Sequence, residues 1–276
     1  MGVQIAWFTR QQEAQARTVA GRSIQGGSLL ICGGGQVPDT IRDRFLELAG
    51  GAHARIVIVP TANVKADRPG YDVSLAVWKA RGLESVEVLH TRSRQLADDP
   101  TFVKPLKEAT GVWFDGGDQS RVMDVYLGTE VERQFMALLS RGGVIGGNSA
   151  GAAVMTRVMI TRGRTEASVG SGFDFLPGAV VDQHFLKRNR IKRLVSVLAD
   201  HPELVGIGID ERTALEVHLK DRLLKVIGDS YVFACVPDPT GKPARLEILK
   251  PGDEAKMSRL KDPGSAAIVS SIDFAL

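Results

Sequence analysis

From Ser28 onward the chain alternates between short apolar runs and amphipathic stretches. Leu29-Leu30-Ile31-Cys32 and Arg55-Ile56-Val57-Ile58-Val59 are continuous apolar runs, stopped by Gly33-Gly34-Gly35 and by Pro60. Between them Ile41, Phe45, Leu46 and Leu48 mark an amphipathic helix. The same alternation continues through apolar runs at 86–90, 111–115 and 143–147, with helical stretches such as 74–80 before the first and 130–140 before the last of them. Strands apolar on both sides, separated by helices, predict an α/β protein: a mostly parallel, flavodoxin-like sheet sandwiched between helices. Sites in such sheets lie beyond the carboxyl ends of the strands. After Glu211 the texture changes, and residues 213–218, 222–227 and 231–236 read as an antiparallel C-terminal meander continuing one edge, with residues 246–249 as a further strand. Residues 1–27, polar and closed by Gly26-Gly27, read as an N-terminal extension, leaving 28–276 as one α/β domain.

Within this pattern Gly147-Asn148-Ser149-Ala150-Gly151 places a serine between an apolar strand and the start of a helix. A sharp strand-to-helix turn is where a nucleophile is exposed, and glycine and alanine around it admit the close backbone approach. The N–H of Ala150, with the helix behind it, would face a developing oxyanion. Gly116-Gly117-Asp118-Gln119 ends another strand and opens a helix. Gly117 is a candidate second oxyanion donor, while Asp118 and Gln119 are candidates for substrate contacts, Asp118 equally suiting a helix N-cap.

A serine needs a base, and that base an orienting acid. Of the five histidines, His184 follows the apolar run Val180-Val181-Asp182-Gln183 and would emerge on the same rim as Ser149. His53, His90, His201 and His218 fall elsewhere in the pattern. For the acid, Glu211 at the end of Gly206-Ile207-Gly208-Ile209-Asp210 is the first choice and Glu166 the second. Lys187-Arg188-Asn189-Arg190-Ile191-Lys192-Arg193 holds five positive charges, but Ile191, Leu194, Val195 and Leu198 make it the start of an amphipathic helix. Arg188, Arg190 and Arg193 then stand beside the site, as forked donors suited to substrate carboxylates.

Composition narrows the classes. The 276 residues are 43% hydrophobic and 24% charged, with a net charge of +3, which does not suggest a nucleic-acid partner. No run approaches the ~18 apolar residues of a membrane span, so a cytoplasmic enzyme without membrane contact is expected. Cys32 and Cys235 lie in apolar runs and read as core residues, so neither metal nor cofactor is called for.

Taken together, Ser149, the Gly-Gly-Asp-Gln turn, Asp182-Gln183-His184-Phe185 with Arg188, Arg190 and Arg193, and the strand ending in Asp210-Glu211 resemble the cyanophycinase family of serine peptidases. The resemblance covers roughly residues 28 to 254. Its usual Gly-Gly-Ala-Glu-Asp-Lys turn is replaced here by Cys32-Gly33-Gly34-Gly35-Gln36-Val37-Pro38. The resemblance implies a class I glutamine amidotransferase-like fold and often a homodimer. It also implies a nucleophile at Ser149, a base at His184, an acid at Glu211, and substrate contacts from Gln119, Asp182, Gln183, Arg188, Arg190 and Arg193. The implied substrate is cyanophycin, a poly-aspartate carrying arginine on each β-carboxyl, cleaved to β-Asp-Arg dipeptides. An aspartyl dipeptidase-like enzyme or a non-catalytic binding protein are the alternatives. An α/β-hydrolase would place its acid before its histidine, which the order Ser149, His184, Glu211 does not.

Overall fold

The computed structural model describes residues 26–71, 73–238 and 244–260. The extension expected over 1–27 and the chain beyond 260 therefore lie almost wholly outside the described residues. The strands are β1 (Ser28–Cys32), β2 (Arg55–Val59), β3 (Ser85–Val88), β4 (Gly111–Phe114), β5 (Val144–Asn148), β6 (Val158–Arg162), β7 (Ser168–Ser171), β8 (Ala179–Gln183), β9 (Val205–Ile209), β10 (Thr213–His218), β11 (Leu223–Gly228), β12 (Val232–Val236), β13 (Arg245–Leu249) and β14 (Glu254–Lys256). The helices are α1 (Asp39–Leu48), α2 (Val73–Lys79), α3 (Arg94–Ala97), α4 (Lys104–Glu108), α5 (Gln119–Tyr126), α6 (Glu130–Ser140), α7 (Ala150–Ala153), α8 (Ile191–Asp200) and α9 (Met257–Leu260).

The large sheet runs β14-β11-β10-β1-β5-β4-β2-β3, parallel from β1 to β3 and antiparallel from β10 outward. Alternation along its strands sorts the apolar residues into two cores. Leu30, Cys32, Ile56, Ile58 and Trp113 pack on Ile41 and Phe45 of α1 and on Trp78 of α2. Leu29, Ile31, Val57, Val59, Val112 and Phe114 face the other way, onto Phe135 and Leu138 of α6. Phe135 meets Phe114 and Phe173 edge-on at 5.1 and 5.6 Å, so its truncation to alanine falls in the range of about 3–5 kcal/mol.

The expectation of one continuous sheet needs correcting. A second sheet, β13-β12-β9-β8, stands apart, its Val181, Ile207 and Ala234 joining the core under the large sheet. Its opposite face, with Val180, Phe233 and Cys235, is covered by Phe185 and by Leu194, Val197 and Leu198 of α8. The meander is thus divided: β10 and β11 extend the large sheet, while β12 and β13 join the second. The division occurs at the turn after β11, where Asp229 N–H donates to Arg212 O at 3.1 Å and Asp210 N–H to Tyr231 O at 3.2 Å. Those bonds turn the chain away from β11 and register Val232 against Ile209. The β6–β7 hairpin, which has no strong apolar alternation, is a third small sheet.

Candidate active site

Ser149 links β5 to α7 with φ 57° and ψ −105°, a strained conformation for a residue with a side chain. The glycines around it have steric reasons. A Cβ on Gly147 would overlap the Gly151 carbonyl, and one on Gly151 would overlap the Phe114 carbonyl, so the turn closes only without side chains at both places. Ser149 N–H donates to Cys32 O at 3.0 Å, fastening the turn to the end of β1.

His184 follows β8 and Glu211 follows β9, both in the second sheet. The anticipated single rim is therefore a cleft between two sheets, with the serine on one wall and its partners on the other. Ser149 Oγ lies 2.7 Å from His184 Nε2, and His184 Nδ1 lies 2.6 Å from Glu211 Oε1. A carboxylate accepts only, so Nδ1 carries the proton and Nε2 accepts from the serine hydroxyl. Burial pushes the His184 pKa below its usual value; the Glu211 hydrogen bond opposes this, and the positive charges of Arg188 and Arg190 assist it. The ring is thereby held neutral near pH 7, the state in which it can take a proton. Glu166, the second choice of acid, lies exposed in the turn between β6 and β7 and does not occupy this position.

The Gly33-Gly34-Gly35 turn is the element whose part here was not anticipated. His184 N–H donates to Gly33 O at 2.5 Å and Arg212 N–H to Gly34 O at 2.9 Å. A Cβ on Gly34 (φ 122°) would enter the His184 imidazole, and one on Gly35 would come within 3.0 Å of Glu211 Oε2. The glycine run is what lets His184 and Glu211 seat against the end of β1. Its signal in the sequence is three adjacent glycines at a strand end, a pattern that a simple chain stop also produces.

The other candidates divide between the cleft and its foundation. Gly117 is exposed on the turn after β4, and a Cβ built on neighbouring Gly116 would stand 3.7 Å from Ser149 Cβ. Ala150 is the first residue of α7, a position whose N–H has no acceptor within the helix. Asp118 caps α5 by accepting from Ser120 N–H at 3.0 Å. Arg188 is exposed beside His184, and Arg190, pushed down to about 10 by burial, donates to Gln183 O at 2.6 Å. Gln183 is buried with its Oε1 unpartnered.

For three residues the expectation of a free substrate group is corrected. Asp182 is fully buried and accepts from Arg193 Nε at 2.9 Å and from Arg193 Nη2, while Arg193 Nη1 donates to Gly163 O at 2.9 Å. Gln119 Nε2 donates to Ile160 O at 2.7 Å and to Thr161 O at 3.1 Å. These groups are occupied with holding β6 and its turn against the cleft. The expected helical stripe is also rotated: Val197, not Val195, is buried with Leu194 and Leu198, which carries Arg193 inward to Asp182.

Known proteins resemble this chain over most of its length. The model of peptidase family S51 matches residues 29–224. A cyanophycinase of Geminocystis herdmanii (strain PCC 6308) is 35% identical over 216 residues, covering 74% of this chain and 79% of that one. A cyanophycinase of Nostoc sp. (strain PCC 7120) is 34% identical over 244 residues, 83% of this chain and 80% of that one. Among solved structures, a peptidase from an acI-B1 Actinobacterium superposes with a TM-score of 0.63 at 25% identity, over 86% of this chain and all of that one. With a family match running from β1 into β11, and relatives above 30% identity across most of both lengths, the chain belongs to peptidase family S51.

Proposed function

We propose that this peptidase hydrolyses cyanophycin or closely related β-aspartyl peptides through an acyl-enzyme on Ser149. The observation that carries the reading is the unbroken relay of 2.7 and 2.6 Å from Ser149 through His184 to Glu211, seated on a strained turn. His184 Nε2 takes the hydroxyl proton as Oγ attacks the scissile carbonyl, and Glu211 holds the imidazolium that forms. The N–H groups of Gly117 and Ala150 receive the negative charge on the carbonyl oxygen. His184 then returns its proton to the leaving amine, and water, activated by the same nitrogen, releases the acyl group.

The substrate class rests on the cyanophycinases of comparable length and on the charge at the cleft. Arg188 and Arg190 offer guanidinium donors to the substrate's carboxylates, with Gln183 Oε1 and Asp118 accepting from its amide or amine groups. Asp182, Arg193 and Gln119 support these groups from below. No described helix is long and apolar enough to cross a membrane. We take the enzyme to act as a cytoplasmic homodimer without nucleic acid, cofactor or metal; sedimentation and cell fractionation test the first two attributes, and a salt-titrated DNA-binding assay and chelation the others.

The deciding experiment pairs a fluorophosphonate label with a substrate panel. Mass spectrometry should place the label on Ser149, and cyanophycin and β-Asp-Arg peptides should be cleaved in preference to α-aspartyl dipeptides. A preference for the α-linked dipeptides would shift the reading to an aspartyl dipeptidase, and an unlabelled, inactive protein would make it a binding protein.

A further inference from the structure

Outside the cleft, a cavity of about 270 Å³ is lined by Val64, Asp67, Arg92, Arg121, Asp124 and Val125. Part of its lining is already committed to internal bonds. Arg92 donates to Asp67 at 3.0 Å, to Thr61 O at 2.5 Å and to Asn63 O at 2.8 Å, and Asp67 also accepts from His90 Nε2 at 2.9 Å. These bonds use up the charges of Arg92 and Asp67 and hold the 61–67 loop in place. Arg121 and Asp124, three residues apart on α5, are different. The five N–H donors of Arg121 spend one on Ala62 O, at 3.2 Å, and the Asp124 carboxylate is exposed. The cavity thus presents the Arg121 cation and the Asp124 anion, and Val64 and Val125 add apolar atoms to its lining.

A wall with that character suits a ligand that is itself zwitterionic and carries a methylene stem. The cavity is also joined to the reaction centre. Ala62 O accepts from Arg121 on one side and from Asp118 N–H, at 2.9 Å, on the other, and it is the carbonyl that a Cβ on Gly117 would overlap. One peptide group therefore forms the partition between this cavity and the Gly116-Gly117 turn beside Ser149.

We propose that the cavity is a second binding subsite, taking a further β-aspartyl-arginine repeat of a polymer whose scissile unit lies at Ser149. Arg121 receives the carboxylate of the repeat, Asp124 its guanidinium, and Val64 and Val125 its methylenes. The subsite rests on the substrate class proposed above and adds that the enzyme reads more of the chain than the unit it cuts. Its contribution appears in the affinity for long substrates and not in the chemical step, because nothing in it reaches the reacting atoms.

The test compares purified cyanophycin with a β-Asp-Arg substrate too short to reach past the scissile unit, in wild type and in Asp124→Lys. Asp124 is exposed and makes no contact with the cleft, so its exchange leaves the relay intact. The expected result is a KM for the polymer about tenfold higher, with kcat and the short substrate's kcat/KM unchanged. Arg121→Gln should act in the same direction. Equal kinetics of Asp124→Lys and wild type on both substrates would overturn the subsite while leaving the proposed activity standing. If wild type cuts neither substrate, the proposed activity fails, and calorimetry then decides the subsite alone: β-Asp-Arg dipeptide should bind Ser149→Ala protein at two sites, reduced to one by adding Asp124→Lys. A single site in Ser149→Ala, or no loss on adding Asp124→Lys, refutes it.

Discussion

Ser28 Oγ lies 3.3 Å from His218 Nδ1, and His218 Nε2 lies 2.7 Å from Glu216 Oε1, so the molecule holds a second linked set of serine, histidine and glutamate in addition to Ser149, His184 and Glu211. Residue types and connectivity are shared, and the surroundings are not. Ser28 opens β1 and is paired across the sheet with His218 on one side and Val144 on the other, at the end of the strand opposite to the cleft. It has the backbone of an ordinary strand and no helix start beside it. Glu216, fully buried, is gripped by Arg44 through bonds of 2.9 and 2.7 Å, so its charge is already spent. Among the described residues no guanidinium bonds Glu211, and Ser149 sits on a strained turn with backbone N–H groups at hand. A relay becomes chemistry only where the acid is free to answer the histidine and the serine projects toward a space a carbonyl can enter.

The largest effect expected from this comparison is on the serines. Ser149→Ala should lower kcat by roughly 10⁴ or more, while Ser28→Ala should keep it within about twofold; active-site titration and steady-state rates check both. The acids come next. Glu211→Gln should cost about 10³ in kcat with little change in melting temperature, since the exchange keeps its size and leaves no buried arginine without a counter-charge. Gly34→Ala should then lower kcat by about two powers of ten without touching any reacting group, because its methyl displaces the imidazole; a crystal structure should show His184 rotated off Ser149.

Glu216→Gln should behave in the opposite way to Glu211→Gln. Arg44 is left facing a neutral amide in a partly covered site, so unfolding in denaturant should show a loss of about 2 kcal/mol, with kcat near that of wild type. Burial alone would raise the Glu216 pKa, but the bonds and charges of Arg44 and His218 outweigh it and the net shift is downward. A depressed carboxyl stabilises the fold above its unfolded pKa, and that contribution fades as pH falls through the lower folded value. Wild type should therefore lose this increment in acid, and Glu216→Gln should have none to lose.

The smallest effect concerns pH. His184 must be neutral to accept the serine proton, so acylation should rise with pH through an inflection below the ordinary imidazole value and be flat near neutrality. An inflection at or above the ordinary imidazole value would mean that burial does not govern the ring. Arg188→Gln removes a neighbouring cation and should move the inflection upward in the pH profile of kcat/KM.

Much of this was legible in the chain itself, because it depends on local periodicity. The alternation of apolar runs and amphipathic helices specifies the parallel sheet, and β10 was read at its observed bounds. The Gly-flanked turn singles out Ser149, since only a tight strand-to-helix junction calls for Gly147 and Gly151 at that spacing. Other features depend on which strand meets which, and hydrophobic pattern is blind to that. The division of the meander, the cleft between two sheets, the placing of the glycine run against His184 and Glu211, and the commitment of Arg193 to Asp182 arise from pairings between residues far apart in sequence. A buried arginine facing a buried aspartate and an exposed arginine facing a substrate carry the same letters. Only tertiary packing decides between them, because it sets which charges lose their water and must find a partner inside the fold.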